Sequence, residues 1–211
     1  MGLSVSAVAF VKVVKHLFQN KQKFSYLWFY VYDLCISSKN FADHEAHLNT
    51  VFNTLRKNLF TFNFSKARVG YDKLKFLWHT ISANSVRIFD SKTKAIQKTV
   101  APKSQKSLKR ILGLLNYFQR HIANYNARTF HTRQLLILNT KFEGSDECEK
   151  ELDDLKSALT NAPILAFFLS DKKVYMYTDA EKTGLKNVCL QFDGQGKPQV
   201  CAYISLATSK A

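Results

Sequence analysis

Paired-cysteine motifs are missing from this sequence. Its four cysteines, Cys35, Cys148, Cys189 and Cys201, form no C-x-x-C pair and have no histidine at zinc-finger spacing, which argues against a zinc module and fits a reduced, intracellular chain, cytoplasmic or nuclear. Long apolar runs are missing too. The longest, Phe24 to Ile36, is too short to cross a bilayer and contains Asp33. The start, MGLSVSAVAFVKVV, lacks a basic leading region and is broken by Lys12, so no signal peptide is read there. It matches the myristoylation pattern through Gly2 and Ser6, although Gly2 has a better explanation below. Acidic residues are scarce, and neither an internal repeat nor a low-complexity segment is found.

What is abundant is positive charge: Lys plus Arg number 31 against 16 acidic residues, a net +15. An excess that large, spread along the chain, points to a polyanionic partner, nucleic acid foremost. A membrane surface ranks second, but no basic amphipathic helix stands apart. The bland alternative is a solubilising surface with no partner. A hydrophobic content of 46% over 211 residues argues against disorder and leaves room for one large or two small domains.

Periodicity predicts an α+β chain. A helix is expected over Ser4–Phe18, with Val5, Val8, Ala9, Val13 and Leu17 on one stripe. Phe24–Ser37 reads as two strands turning near Tyr32-Asp33. Asp43 is expected to cap a helix over His44–Asn58, with His47, Leu48, Val51, Phe52 and Leu55 on one side. Short strands are predicted near Phe60–Phe62, Ala67–Tyr71, Leu74–Leu77 and Thr80–Ser82. Helices follow over Ser91–Thr99, Ser104–Gln119, Phe130–Leu138 and Asp146–Thr160. After Pro163 the pattern returns to strands, over Lys173–Thr178, Lys186–Phe192 and Pro198–Ser205, with a tight turn at Asp193-Gly194.

Several segments, in one consistent order, resemble the Pol polyprotein of gypsy-type LTR retrotransposons. MGLSVSAVAF resembles the start of a palm helix, with Gly2 and Phe10 in place and Ala7 where the family has proline. FYVYDLCISSK (29–39) resembles the palm hairpin with the Tyr-x-Asp-Asp signature, and FADHEAHL (41–48) the helix after it. FNFSKARVGYDKLKFLWHTIS (62–82) is similar to the lysine-containing segment and the primer-grip hairpin. KAIQKTVAPKSQKSLKRILGLLNYFQRHI (94–122) looks like the thumb, ECEKELDDLKSALTNAPIL (147–165) like the connection helix, and VYMYTDA (174–180) like the first strand of an RNase H domain.

The resemblance implies a reverse transcriptase, an RNA-directed DNA polymerase working with two Mg²⁺ ions held by carboxylates. The hairpin departs from that requirement. Tyr30-Val31-Tyr32-Asp33 stands where Tyr-x-Asp-Asp is expected, so Asp33 is the one residual palm carboxylate and Tyr32 replaces the other. A phenol is neutral at pH 7 and cannot take that place. The third carboxylate of the family lies on an earlier strand, which the chain is expected to lack. Asp179 matches the first RNase H aspartate, Gly184 fits the turn after it, and the remaining carboxylates are expected beyond Ala211. Asp33 and Asp179 would therefore bind metal only if other segments supplied ligands, and the chain alone is expected to hold no Mg²⁺. Asp193 is better explained by its turn.

Trp78 replaces the family's primer-grip glycine and is expected to distort that turn. His79 reads as a hydrogen-bonded structural histidine. His44 and His47, one turn apart, could pair on a metal but fit packing better. Lys66 falls on the family lysine near the nucleotide phosphates. Lys94, Lys98, Lys103, Lys106, Lys109, Arg110 and Arg120 would contact a duplex through the thumb, which needs only charge and reach.

The sequence thus predicts a partial palm over residues 1–90, thumb and connection over 91–165, and a truncated RNase H-like β-meander over 166–211. The expected function is that of a retrotransposon reverse transcriptase remnant, catalytically incompetent alone. The alternative is a basic nucleic-acid-binding module using the thumb, and a third reading is a product that never folds stably. Expected partners are RNA or DNA and other Pol segments, with no membrane.

Overall fold

The computed structural model describes residues 4–20, 22–137, 146–181 and 184–207. The chain is of mixed α and β structure, and it divides into two compact units, Met1–Asp72 and Lys73–Ala211. Gly2 and Leu138 lie outside the described residues.

In the first unit, helix α1 (Ser4–Leu17) and helix α2 (Phe41–Lys57) accompany a hairpin of β1 (Leu27–Tyr30) and β2 (Asp33–Ile36). The core gathers Val14, Phe18, Phe24, Leu27, Val51 and Leu55. The buried stripe of α1 is therefore not the expected one. Val8 and Val13 are exposed, while Val14 and Phe18 are inside with Phe10 packed beside them. The two phenylalanines bury more apolar area than the valines, and they decide which way the helix rolls. Asn40, rather than Asp43, caps α2: its side-chain oxygen accepts the Asp43 N–H at 2.8 Å. Asp43 lies inside the first turn, where its carboxylate meets the positive end of the helix dipole.

The strands expected near Phe60–Phe62 and Ala67–Tyr71 do not form; that run is irregular apart from a 3₁₀ turn over Phe64–Lys66. Alternating apolar residues make a strand only where a neighbour can pair with their amides.

The second unit holds a four-stranded antiparallel sheet of β3 (Lys73–Phe76), β4 (His79–Ser82), β5 (Ser85–Ile88) and β6 (Leu165–Ala166), in that order. Neither β5 nor β6 is expected from the sequence pattern, and β6 is only two residues long. Helices α3 (Asp90–Gln97), α4 (Gln105–Tyr117), α5 (Phe130–Gln134) and α6 (Asp146–Thr160) lie between β5 and β6. Leu108, Leu115, Phe118, Leu155 and Leu159 make their fully buried centre. Ser104 and Ser107 cap α4 reciprocally. Helix α5 is shorter than its apolar pattern, and the Glu151 carboxylate of α6 accepts the His131 and Thr132 N–H groups at its start, both at 2.8 Å.

Strands β7 (Tyr175–Glu181), β8 (Gly184–Phe192) and β9 (Pro198–Leu206) form a separate meander. Gly184, at φ 151°, lies so close to β9 that a Cβ would sit 2.2 Å from the Leu206 carbonyl oxygen, which only glycine allows. The β8–β9 loop spans Asp193 to Lys197 instead of turning on Asp193-Gly194. Asp193 Oδ1 accepts the Gln195 and Lys197 N–H groups, both at 2.9 Å, and Gly196 takes the left-handed position. Those bonds hold the Asp193 carboxyl below its ordinary pKa, the Lys197 amide contributing most.

Candidate nucleic-acid interface

Helix α4 turns its leucines inward, and the residues three and four apart on its other side carry the charge. Lys106, Lys109 and Arg110 are exposed and, with Ser104 and Gln105, line an open depression at the start of the helix. The same face continues through Gly113, where an added Cβ would meet nothing within 4 Å, to the exposed Asn116 and Tyr117. A glycine inside a helix costs about 1 kcal/mol against alanine, and no packing around Gly113 requires it. What it leaves is a low point on a cationic ridge, where another molecule's backbone can approach.

The other expected cations are exposed as well. Lys94 lies in the last turn of α3, Lys98 is its C-cap, Lys103 precedes the Ser104 cap, and Arg120 lies in a 3₁₀ turn over Gln119–His121. Lys66 ends the 3₁₀ turn of the first unit and is likewise exposed.

Beside α4 stands the turn between β3 and β4. Phe76 pairs with His79, so Leu77 and Trp78 are its two central residues, at φ 47° and 62°. A two-residue hairpin turn of type I′ has positive φ at both places and ordinarily takes Asn or Gly there. Trp78 thus keeps the backbone a glycine would have, in place of the displacement that the sequence leads one to expect. Two bonds secure it: the Tyr117 hydroxyl donates to the Leu77 carbonyl at 2.8 Å, and the Phe89 N–H to the Trp78 carbonyl at 3.1 Å. The indole sits 5.1 Å from the Tyr117 ring, with Lys92 Nζ 4.6 Å from its centroid. Sequence reasoning does not assemble Trp78, Tyr117 and Lys92, because nothing local tells that residue 117 reaches residue 77.

His44, His47, His79 and His121 lie among hydrogen bonds and ring stacks. His79 Nδ1 lies 2.7 Å from the Leu77 carbonyl oxygen, and its ring stacks on His121 at 5.3 Å. Burial lowers the pKa of both, His121 to about 4, where the neighbouring His79 adds to the effect and a hydrogen bond to the Pro163 carbonyl opposes it. His121 Nδ1 is buried without a hydrogen-bond partner among the described residues. His44 and His47 both point Nδ1 at the Ser38 hydroxyl, at 3.1 and 2.8 Å, and His47 stacks on Tyr26.

The two aspartates belong to different compact units. Asp33 opens β2, exposed, opposite Tyr30; Tyr32, 61% exposed, occupies the turn with its ring 4.8 Å from Phe10. Asp179 faces Lys186 across β7 and β8, with Nζ 3.9 Å from its carboxylate, and Lys186 also pairs with Glu181. No group of three or more His, Cys, Asp or Glu side chains suited to a metal ion occurs among the described residues. Nor is any helix of those residues long and apolar enough to cross a membrane.

Residues 145–211 match the family described as the RNase H-like domain found in reverse transcriptase. A Pol polyprotein from the transposon opus of Drosophila melanogaster is 31% identical over 193 residues, covering 86% of this chain and 19% of its own length. The Tf2-3 polyprotein of Schizosaccharomyces pombe is 24% identical over the whole chain and 16% of its own length. The chain therefore spans less than a fifth of these relatives. In structure it resembles a foamy viral protease-reverse transcriptase solved with double-stranded DNA, at TM-score 0.79 and 20% identity over 97% of this chain and 35% of that one. By these matches residues 145–211 are an RNase H-like reverse transcriptase domain, and the chain is a fragment homologous to gypsy-type retrotransposon Pol polyproteins.

Proposed function

We propose that this chain is a reverse transcriptase segment that grips nucleic acid and does not copy it unaided. The first 90 residues or so correspond to part of the palm, residues 91–165 to thumb and connection, and residues 166–211 to an RNase H-like sheet. One observation carries the reading: Tyr32 fills the hairpin turn where the signature places a carboxylate beside Asp33.

Two adjacent Mg²⁺ ions need several hard oxygen ligands. A single exposed carboxylate next to a phenol side chain does not fit them. At Asp179 the Lys186 ammonium already lies beside the carboxylate, which competes with a cation for the same oxygens.

Binding does not share that requirement. The exposed Lys106, Lys109, Arg110 and Gly113 face of α4 offers charge and close approach, which is all that phosphate contacts demand. The foamy viral enzymes that share the fold were solved with double-stranded DNA and with an RNA/DNA hybrid, which supports a duplex as the partner.

The test is fluorescence anisotropy with a labelled hybrid duplex across a salt series, run beside nucleotide incorporation on a primed template in Mg²⁺ or Mn²⁺. Affinity that falls steeply with salt, without incorporation, is expected. Salt-insensitive binding, or incorporation by the purified chain, contradicts the proposal.

A further inference from the structure

The run after α2 has a feature that neither carboxylates nor the α4 ridge explains. From Ala46 to Tyr71 the sequence contains no acidic residue but carries Arg56, Lys57, Lys66 and Arg68. Within it Phe52, Phe62 and Phe64 form a ring cluster: Phe62 lies edge-on to Phe64 at 4.9 Å, and Phe52 sits 5.3 Å from Phe62 and 6.1 Å from Phe64. The cluster is not a core. Phe64 is 72% exposed and Phe62 39%. Tyr71, 64% exposed, has the Arg68 guanidinium 6.0 Å from its ring.

The presentation is ordered. Asn63 caps the 3₁₀ turn by accepting the Ser65 N–H at 3.1 Å and the Ser65 hydroxyl at 2.6 Å. That turn holds Phe64 up against its two supporting rings and sets Lys66 two residues further on. Exposed aromatic area of this kind marks a surface that another molecule covers.

We infer that Phe62 and Phe64, with Lys66 and Arg68, form a platform for single-stranded nucleic acid, bases stacking on the phenylalanines and phosphates meeting the two cations. Charge decides the occupant. An apolar patch followed within four residues by two cations, on a run without a single carboxylate, complements a polyanion that carries its own flat apolar faces. Unpaired bases have those faces and duplex bases hide them, so the platform selects single strands. The platform is in the first compact unit and α4 in the second, and the inference stands whether or not α4 binds a duplex.

The experiment uses the full chain carrying Lys106→Ala, Lys109→Ala and Arg110→Ala, which removes the α4 cations, and a labelled oligothymidylate in a salt series. Phe64→Ala is expected to weaken binding about tenfold or more, the effect of losing one stacked base, with the salt slope unchanged. Phe64→Trp retains affinity, and its fluorescence is quenched by the oligonucleotide. Lys66→Ala with Arg68→Ala lowers the slope by roughly 1.4, two single-strand phosphates. Unchanged binding in Phe64→Ala while Phe64→Trp shows no quenching overturns the platform. So does an equal loss for duplex and single strand. If Phe64→Ala instead abolishes self-association and leaves oligonucleotide affinity intact, the surface belongs to a protein partner and the inference fails.

Discussion

The helices of the second unit and the meander of the same unit are built on opposite terms. Leu108, Leu115, Phe118, Leu155 and Leu159 are sealed at the centre of the helices. Every residue of β7 is exposed, Asp179 included. The α4 cations expected to touch nucleic acid therefore ride on a packed scaffold, while Asp179 rides on a strand that little else covers. A helix fixed by its buried face holds its charges in register. The neighbour that the Asp179 carboxylate does have is the Lys186 ammonium, 3.9 Å away, and not a second acid group. The difference supports the proposed reading, in which phosphate binding outlasts metal chemistry.

The largest blow to that contrast is removal of the buried side. Leu155→Ala should cost about 2–5 kcal/mol in a denaturant melt, whereas Tyr177→Ala on β7 should change stability by under about 1 kcal/mol. Equal effects would erase the distinction. Acid comes next. His121, with its pKa depressed to about 4, is neutral in the folded chain while an unfolded histidine titrates near its ordinary value. The stability this confers is complete above roughly pH 6.5 and is lost as pH falls toward 4, to a total on the order of 3 kcal/mol. His121→Gln should flatten that part of a pH–stability curve, even if it lowers the plateau.

On the binding side, Lys109→Ala with Arg110→Ala should reduce the duplex salt slope by roughly 2 and weaken affinity about tenfold at low salt, with the melt unchanged. Alanine at Lys186 should leave duplex affinity as it was. The smallest effect is expected at the β1–β2 turn. Val31, β-branched, takes φ 51°, a region it enters only under strain. Val31→Gly should raise stability by up to about 1 kcal/mol, read as a higher melting midpoint.

Local signals are legible in the sequence. The leucine spacing locates α4 and α6, and Asp146–Thr160 matches its helix end to end. The run of motif segments leads to the same family that the relatives show. What cannot be read are facts about neighbours. Phe10, Val14 and Phe18 rotate α1 because of rings contributed by other elements. Leu165 and Ala166 become β6 only because β5, nearly eighty positions earlier, offers its edge. Lys186 meets Asp179 through strand register, and Tyr117 reaches Leu77 across forty residues. The sequence leads one to expect a distorted turn at Trp78, whereas the turn keeps two consecutive left-handed residues, held by hydrogen bonds that no local pattern encodes.

The proposed loss of the palm metal site is tested most directly by nucleotide incorporation into a primed template by the purified chain, measured beside an Asp33→Asn preparation made identically. Both should show the same background, at or below that of a mock purification. Incorporation by the unaltered chain that disappears in Asp33→Asn would show that Asp33 still serves a working metal centre, and would contradict the loss of polymerase chemistry inferred from Tyr32.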